Sequence, residues 1–235
     1  MKKFVSVCTA TVLAVSLLAG GAVSASAAPA LPDAVPASAE ENCISGSWKR
    51  PTSPVLTDRV NTQFHKALDG LVGASYTPVA LLATRTTSSG TQYRVLCKST
   101  IVYPGAQEQY VVVTLNRSWL GRAELLDIGD ALYPTDLSAA PLLGGWQEPD
   151  SPALTDEAAA AFQQATDGLL GVDYVPVALL STQVVAGTNY RILCEATTVY
   201  PGAEMHYVVM TIYEGLDGHS SILSVSDSFA SEAAE

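Results

Sequence analysis

A chain of 235 residues has room for one large domain or two of about 100 residues each. Hydrophobic residues make up 48% and charged residues 15%, which supports a packed core and excludes a largely disordered protein. The formal net charge of −11, with no basic run, argues against nucleic acid or anionic lipid as a partner.

In chain order, Lys2 and Lys3 precede an apolar run over 5–19, and Ala25-Ser26-Ala27 offers small residues for cleavage before Ala28. The run is short and a cleavage site follows it, so 1–27 reads as a secretory signal peptide and not a membrane span. Cys8 lies inside this segment. The expected product is secreted, extracellular and soluble, with no membrane attachment after cleavage. Residues 28–42, rich in Ala, Pro and Ser, read as a flexible leader. Three cysteines then remain, Cys43, Cys97 and Cys194, and an odd number cannot all pair within one chain. Cys97 and Cys194 share strand parity with Tyr93 and Val95, and with Tyr190 and Ile192. They are expected to be small apolar core thiols. Cys43 has no counterpart and reads as free or intermolecular.

An internal repeat sets the domain organisation. Trp48 matches Trp146, Phe64 matches Phe162, and Val79-Ala80-Leu81-Leu82 matches Val177-Ala178-Leu179-Leu180, each 98 residues on. Gly90-Thr91-Gln92-Tyr93-Arg94 matches Gly187-Thr188-Asn189-Tyr190-Arg191, and Tyr103-Pro104-Gly105-Ala106 matches Tyr200-Pro201-Gly202-Ala203, each 97 residues on. One residue has therefore been gained or lost between Thr84 and Gly90. This organisation predicts domains over 43–128 and 144–228, joined by a linker over 129–143 that includes Tyr133-Pro134 and Ala140-Pro141. A tail follows over 229–235.

Each repeat opens on one amphipathic helix. Leu56, Val60, Phe64, Ala67, Leu68 and Leu71 recur at helical spacing, as do Leu154, Ala158, Phe162, Ala165 and Leu169. Thr57 and Thr155 are expected N-caps, with Asp58 and Asp156-Glu157 at the positive end of the helix dipole. Gly73 and Gly171 are expected to close the helices. Period-2 alternation and the turns at Pro201-Gly202 and 215–218 predict strands over 174–185, 188–199, 205–214 and 220–226, with equivalents in the first repeat. The expected class is α+β: two tandem domains, each one helix on a four-stranded antiparallel sheet. The second face of each sheet is expected to meet water, with Asn189, Arg191 and Glu195 on it.

This order of elements resembles the cystatin superfamily, and the second repeat is most similar to its stefin branch, over residues 144–226. Gly144-Gly145 precedes the helix, like the glycine of the family's N-terminal trunk. Gln183-Val184-Val185-Ala186-Gly187 matches the Gln-x-Val-x-Gly first loop, with Thr188-Asn189-Tyr190 after it. Gly215-Leu216-Asp217-Gly218 falls where the family has its second binding hairpin. The resemblance implies a non-enzymatic inhibitor of papain-like cysteine proteases. Its wedge would be Gly144, Gly145, Gln183, Val184, Val185, Ala186, Gly187, Gly215, Leu216 and Asp217, which together would cover the active-site cleft. The residue types suit that task. Two valines offer apolar area without stranding a charge, glycine permits close backbone approach, and a short hairpin loses little entropy on binding.

The first repeat departs from the pattern. Its loop, Arg85-Thr86-Thr87-Ser88-Ser89-Gly90, is longer, polar and lacks the Gln, and Ser45-Gly46-Ser47-Trp48 keeps one glycine. Its second tip carries Trp119, a possible binding anchor. The repeat reads as a weak or non-inhibitory module: a spacer, an aid to avidity, or a reader of another partner. His65, His206 and His219 show no metal-ligand spacing and no nucleophilic triad can be nominated, so no catalysis, metal or cofactor is expected. The alternative is a secreted, non-inhibitory interaction module. A monomer is expected, with a domain-swapped dimer through the first hairpin as the other possibility.

Overall fold

A computed structural model of the protein describes residues 46–137 and 143–227. The expected signal segment (1–27), the expected leader (28–42), Cys43, Ala140-Pro141 and the expected tail (229–235) lie outside these residues. The described part falls within one compact unit, Asn42–Glu235. Its elements are α1 (Asp58–Ala67), β1 (Ala74–Thr87), β2 (Gly90–Ile101), β3 (Gln109–Ser118) and β4 (Ala123–Pro134). The second repeat follows with α2 (Asp156–Thr166), β5 (Val172–Val185), β6 (Gly187–Thr198), β7 (His206–Gly215) and β8 (Ser220–Asp227). The strands form two antiparallel meanders, β1-β2-β3-β4 and β5-β6-β7-β8.

The helices begin where the caps put them. Thr57 Oγ1 accepts from the Val60 N–H at 3.4 Å and Thr155 Oγ1 from the Ala158 N–H at 3.2 Å. They end sooner than expected, at Ala67 and Thr166, and the first left-handed residues after them are Gly70 (φ 82°) and Gly168 (φ 75°). Gly73 and Gly171 serve the strands instead, their carbonyls accepting from the Val102 and Val199 N–H groups at 2.9 Å. Leu71 and Leu169, which the helical spacing placed on the apolar stripe, accordingly stay about 40% exposed. The proposed linker is also shorter than expected, because residues 129–134 continue β4 as paired strand.

Each helix covers one face of its own sheet. Val60 and Phe64 pack with Leu81, Val95, Cys97, Val111, Val113 and Leu115, while Ala158, Ala161 and Phe162 pack with Leu179, Ile192, Cys194, Val208, Met210 and Ile212. The other faces pack against each other. Ala80, Leu82, Leu96 and Tyr110 of the first repeat join Val177, Ala178, Leu180, Leu193, Tyr207 and Val209 of the second in a single buried cluster. The layers therefore run helix, sheet, sheet, helix.

This arrangement corrects the α+β class expected from the sequence. Strand accounts for 52% of the described residues and helix for 12%, so sheet dominates the fold. The two tandem helix-plus-sheet units do not each end in a wetted face. Arg191, expected on such a face, is 6% exposed, and Glu195 is half-buried. Bulges in β5 between Pro176 and Ala178 and between Leu179 and Ser181, repeated in β1, let adjacent residues such as Val177 and Ala178 face the same shared core.

Both repeat cysteines are free, fully buried and among the core residues, as their strand parity implied. Burial pushes the Cys194 thiol up to about 12 and raises Cys97 as well. The native state then keeps both protons while the unfolded chain gives them up near 9, so stability is lost as pH rises above that value. Equilibrium unfolding in urea is expected to show a loss of about 1.4 kcal/mol per pH unit per thiol above pH 9. Replacing both cysteines by alanine should flatten this part of the pH profile, and an unchanged slope would refute the assignment.

Candidate functional site

The tips of the second repeat converge at one end of its sheet because the strand register brings them together. Val185 pairs with Gly187 across a turn of one residue, Ala186, and Gly187 in turn pairs with Gly215 at the start of the second hairpin. Three of the five motif residues are thus the last residues of β5, and the loop is a tight hairpin end. Val184 is 66% exposed and Val185 42%. Ala186 is exposed, and Gly187 and Gly215 are half-buried between the hairpins.

Gly187 is required by both conformation and space. Its φ is +126°, and a Cβ there would run into the Glu214 carbonyl and come within 3.0 Å of Tyr213 Cε2. Gly90 holds the same position in the first repeat, at φ +151°, with the Arg117 carbonyl in the way. Gly187→Ala and Gly90→Ala are each expected to destabilise the protein by about 1–3 kcal/mol. Thermal melts check this, and a neutral Gly187→Ala would show that the two hairpins can separate freely.

The N-terminal trunk reaches the same end. Gln147 bridges to Thr182, so Gly144-Gly145 runs beside the end of β5. Gln183 Nε2 donates to the Gly144 carbonyl at 2.7 Å, and Gln183 Oε1 accepts from Asn189 Nδ2 at 2.8 Å. Gln183 therefore braces the trunk to the loop. Its counterpart Arg85 instead donates to Gln92 at 2.6 Å and stacks on Trp48, 4.4 Å from the ring centroid. Gly144 is exposed and Gly145 half-buried.

The second hairpin is shaped from within. Asp217 Oδ1 accepts from the His219 N–H at 3.1 Å, and Gly215 exchanges backbone bonds with His219 and Gly218 at 2.9 Å. The Asp217 carboxylate is thus occupied in the turn, and Leu216 stands out at 86% exposure. Tyr213 and Tyr190 are bracing residues that the sequence analysis missed. The Tyr213 hydroxyl donates to the Ala186 carbonyl at 2.5 Å, and the Tyr190 hydroxyl donates to Glu214 Oε2 at 2.8 Å. Burial, then the Glu214 bond, pushes the Tyr190 phenol up to about 12. The usable signal was a tyrosine on β7 two residues before the hairpin glycine.

The first repeat builds its corresponding end differently. Thr87 pairs with Gly90 around Ser88-Ser89, which takes up the extra residue. Trp119 is 61% exposed, and its indole N–H donates to the Ser88 carbonyl at 2.8 Å, tying the two tips together. Gly46 donates its N–H to the Thr86 carbonyl at 2.9 Å.

All ten wedge residues nominated from the sequence thus lie on three adjacent segments, presenting Val184, Val185 and Leu216 with no charged group among them except the tethered Asp217. Among the described residues, no group of three or more His, Cys, Asp or Glu side chains could hold a metal ion, and no helix is long and apolar enough to cross a membrane. Compared with known proteins, the chain matches no family model and no curated protein.

Proposed function

We propose that this protein is a secreted inhibitor of papain-like cysteine proteases, acting through the end of its second repeat formed by the trunk glycines, the 183–187 hairpin and the 215–218 hairpin. The observation that carries this reading is the exposed pair Val184-Val185, on a hairpin braced by the Gln183–Gly144 and Tyr213–Ala186 hydrogen bonds, which leave the valine side chains open. Such an edge is narrow, apolar and braced, which suits insertion into a cleft with little ordering on binding. The match of Gln183–Gly187 to the cystatin first loop names the protease class.

Inhibition by this edge is blockade. The hairpin tip would fill the cleft beside the thiolate–imidazole pair and exclude substrate, and no group on the inhibitor reacts. Titration of the full chain against papain and a cathepsin, with a fluorogenic peptide substrate, is expected to show reversible, stoichiometric loss of activity. No inhibition at high micromolar protein would overturn the reading.

A further inference from the structure

The two repeats meet with opposite charges at equivalent places: one on the segment before each helix, one on the second strand of each sheet. Arg50 and Glu148 are equivalent, 98 residues apart, and Lys98 and Glu195 are equivalent, 97 residues apart. Both positions are basic in the first repeat and acidic in the second. They pair across the interface: Arg50 with Glu195, and Lys98 Nζ with both Glu148 carboxylate oxygens at 2.8 Å. A pairing of either repeat with its own kind would put Arg50 against Lys98, or Glu148 against Glu195. Individually such pairs stabilise little, but like charges at these places oppose the wrong pairing, which is how interfaces gain selectivity.

A second contact crosses the same interface. Arg191 reaches from the second repeat into the first, with Nη1 donating to the Thr135 carbonyl at 3.1 Å and Nη2 to Asp136 Oδ2 at 3.0 Å. Its guanidinium lies between Tyr133, 5.0 Å from the ring centroid, and Trp146, at 3.9 Å. Trp146 directly follows Gly144-Gly145, so this arginine fixes the root of the trunk to the end of β4. The equivalent Arg94 stacks on Trp48 beside Arg85 and also lies near the Tyr207 hydroxyl of the second repeat. Among the described residues, the trunk of the second repeat is thus held with help from the first.

We propose that the first repeat is the dedicated pairing partner of the second and the positioning element for its trunk, and that this, and not a second inhibitory site, is its role. The path runs from Tyr133, Thr135 and Asp136 through Arg191 and Trp146 to Gly144 and Gln183. The effect on inhibition rests on the function proposed above, whereas the pairing and the positioning stand without it.

The test uses the full chain and two readouts, amide hydrogen exchange and protease inhibition. Asp136→Ala removes an exposed partner of Arg191 without touching the core. It is expected to speed exchange over 144–147 by about tenfold and to weaken inhibition by about five- to tenfold. The exposed-turn variant Tyr103→Ala should change neither. For the charges, Glu148→Lys with Glu195→Lys makes all four positions basic and should lower the melting temperature and speed exchange at 177–180 and 207–209. Adding Arg50→Glu and Lys98→Glu should restore both. Unchanged exchange over 144–147 in Asp136→Ala overturns the positioning role, and an unaltered all-basic variant overturns the pairing code. Should the parent inhibit no papain-like protease while exchange responds as described, the inhibitor reading falls and the role of the first repeat stands.

Discussion

Replacing Val184 and Val185 by aspartate is expected to abolish protease inhibition while leaving the melting temperature within a degree or two of the parent. The two side chains are exposed and contribute little to the folded state, so charge there should be nearly free in the unbound protein. In a closed cleft the same carboxylates would be desolvated without a partner, and breaking an interface in that way costs about 3–5 kcal/mol, or roughly two to four orders of magnitude in affinity. The corresponding change at Thr86 and Thr87 of the first repeat should leave inhibition intact, because that tip is already polar and is tied across by Trp119. Inhibition constants and melts of the two double variants decide the matter. If Val184→Asp with Val185→Asp inhibits as well as the parent, the 183–187 hairpin is not the contact.

Much of this edge was legible in the sequence because its parts are local. A glycine forced by a tight turn, a β-branched pair before it and a repeat that keeps the flanking residues can all be read along the chain. What holds the parts together could not be read so easily. Tyr213 and Asn189 act across strands, and the role of Gln183 as a brace depends on the trunk lying within reach, a matter of register and not of composition. The fold class was misread for a related reason. Alternation on β6 put Asn189, Arg191 and Glu195 on one face, and their polarity suggested water. Leu193 lies on that same face and is fully buried. The neighbouring β7, His206–Gly215, is apolar at Tyr207, Val208, Val209, Met210 and Ile212, a near-continuous run of the kind expected of a strand buried on both sides. Arg191 and Glu195 were polar because they meet charges and carbonyls of the other repeat, which a single repeat cannot reveal.

The shared core leads to the other large effect. Leu180→Ala should destabilise the protein by about 2–5 kcal/mol, the usual range for deleting a buried leucine where the surroundings relax only in part. Leu180 is 1% exposed, and its neighbours in that cluster come from both sheets, including Leu82, Leu96 and Tyr110, whose hydroxyl donates to the Leu180 carbonyl at 3.4 Å. The loss should therefore be felt by the first repeat as much as by the second. In calorimetry the parent and the variant should each unfold in one transition, with calorimetric and van't Hoff enthalpies in agreement. For a cooperative unit of this size each kcal/mol lowers the melting temperature by about 2–4 °C. Independent repeats would behave otherwise: two transitions, of which only the second repeat's would move. That outcome would break the link between the sheets. It would also remove the physical basis for treating the first repeat as the cover that the second cannot do without, since a repeat that unfolds alone does not need Leu82 and Leu96 against Leu180 and Leu193. A single transition that shifts as a whole would mean that the edge presenting Val184, Val185 and Leu216 is carried by a structure neither half can build by itself, and that the second repeat uses the sheet of the first.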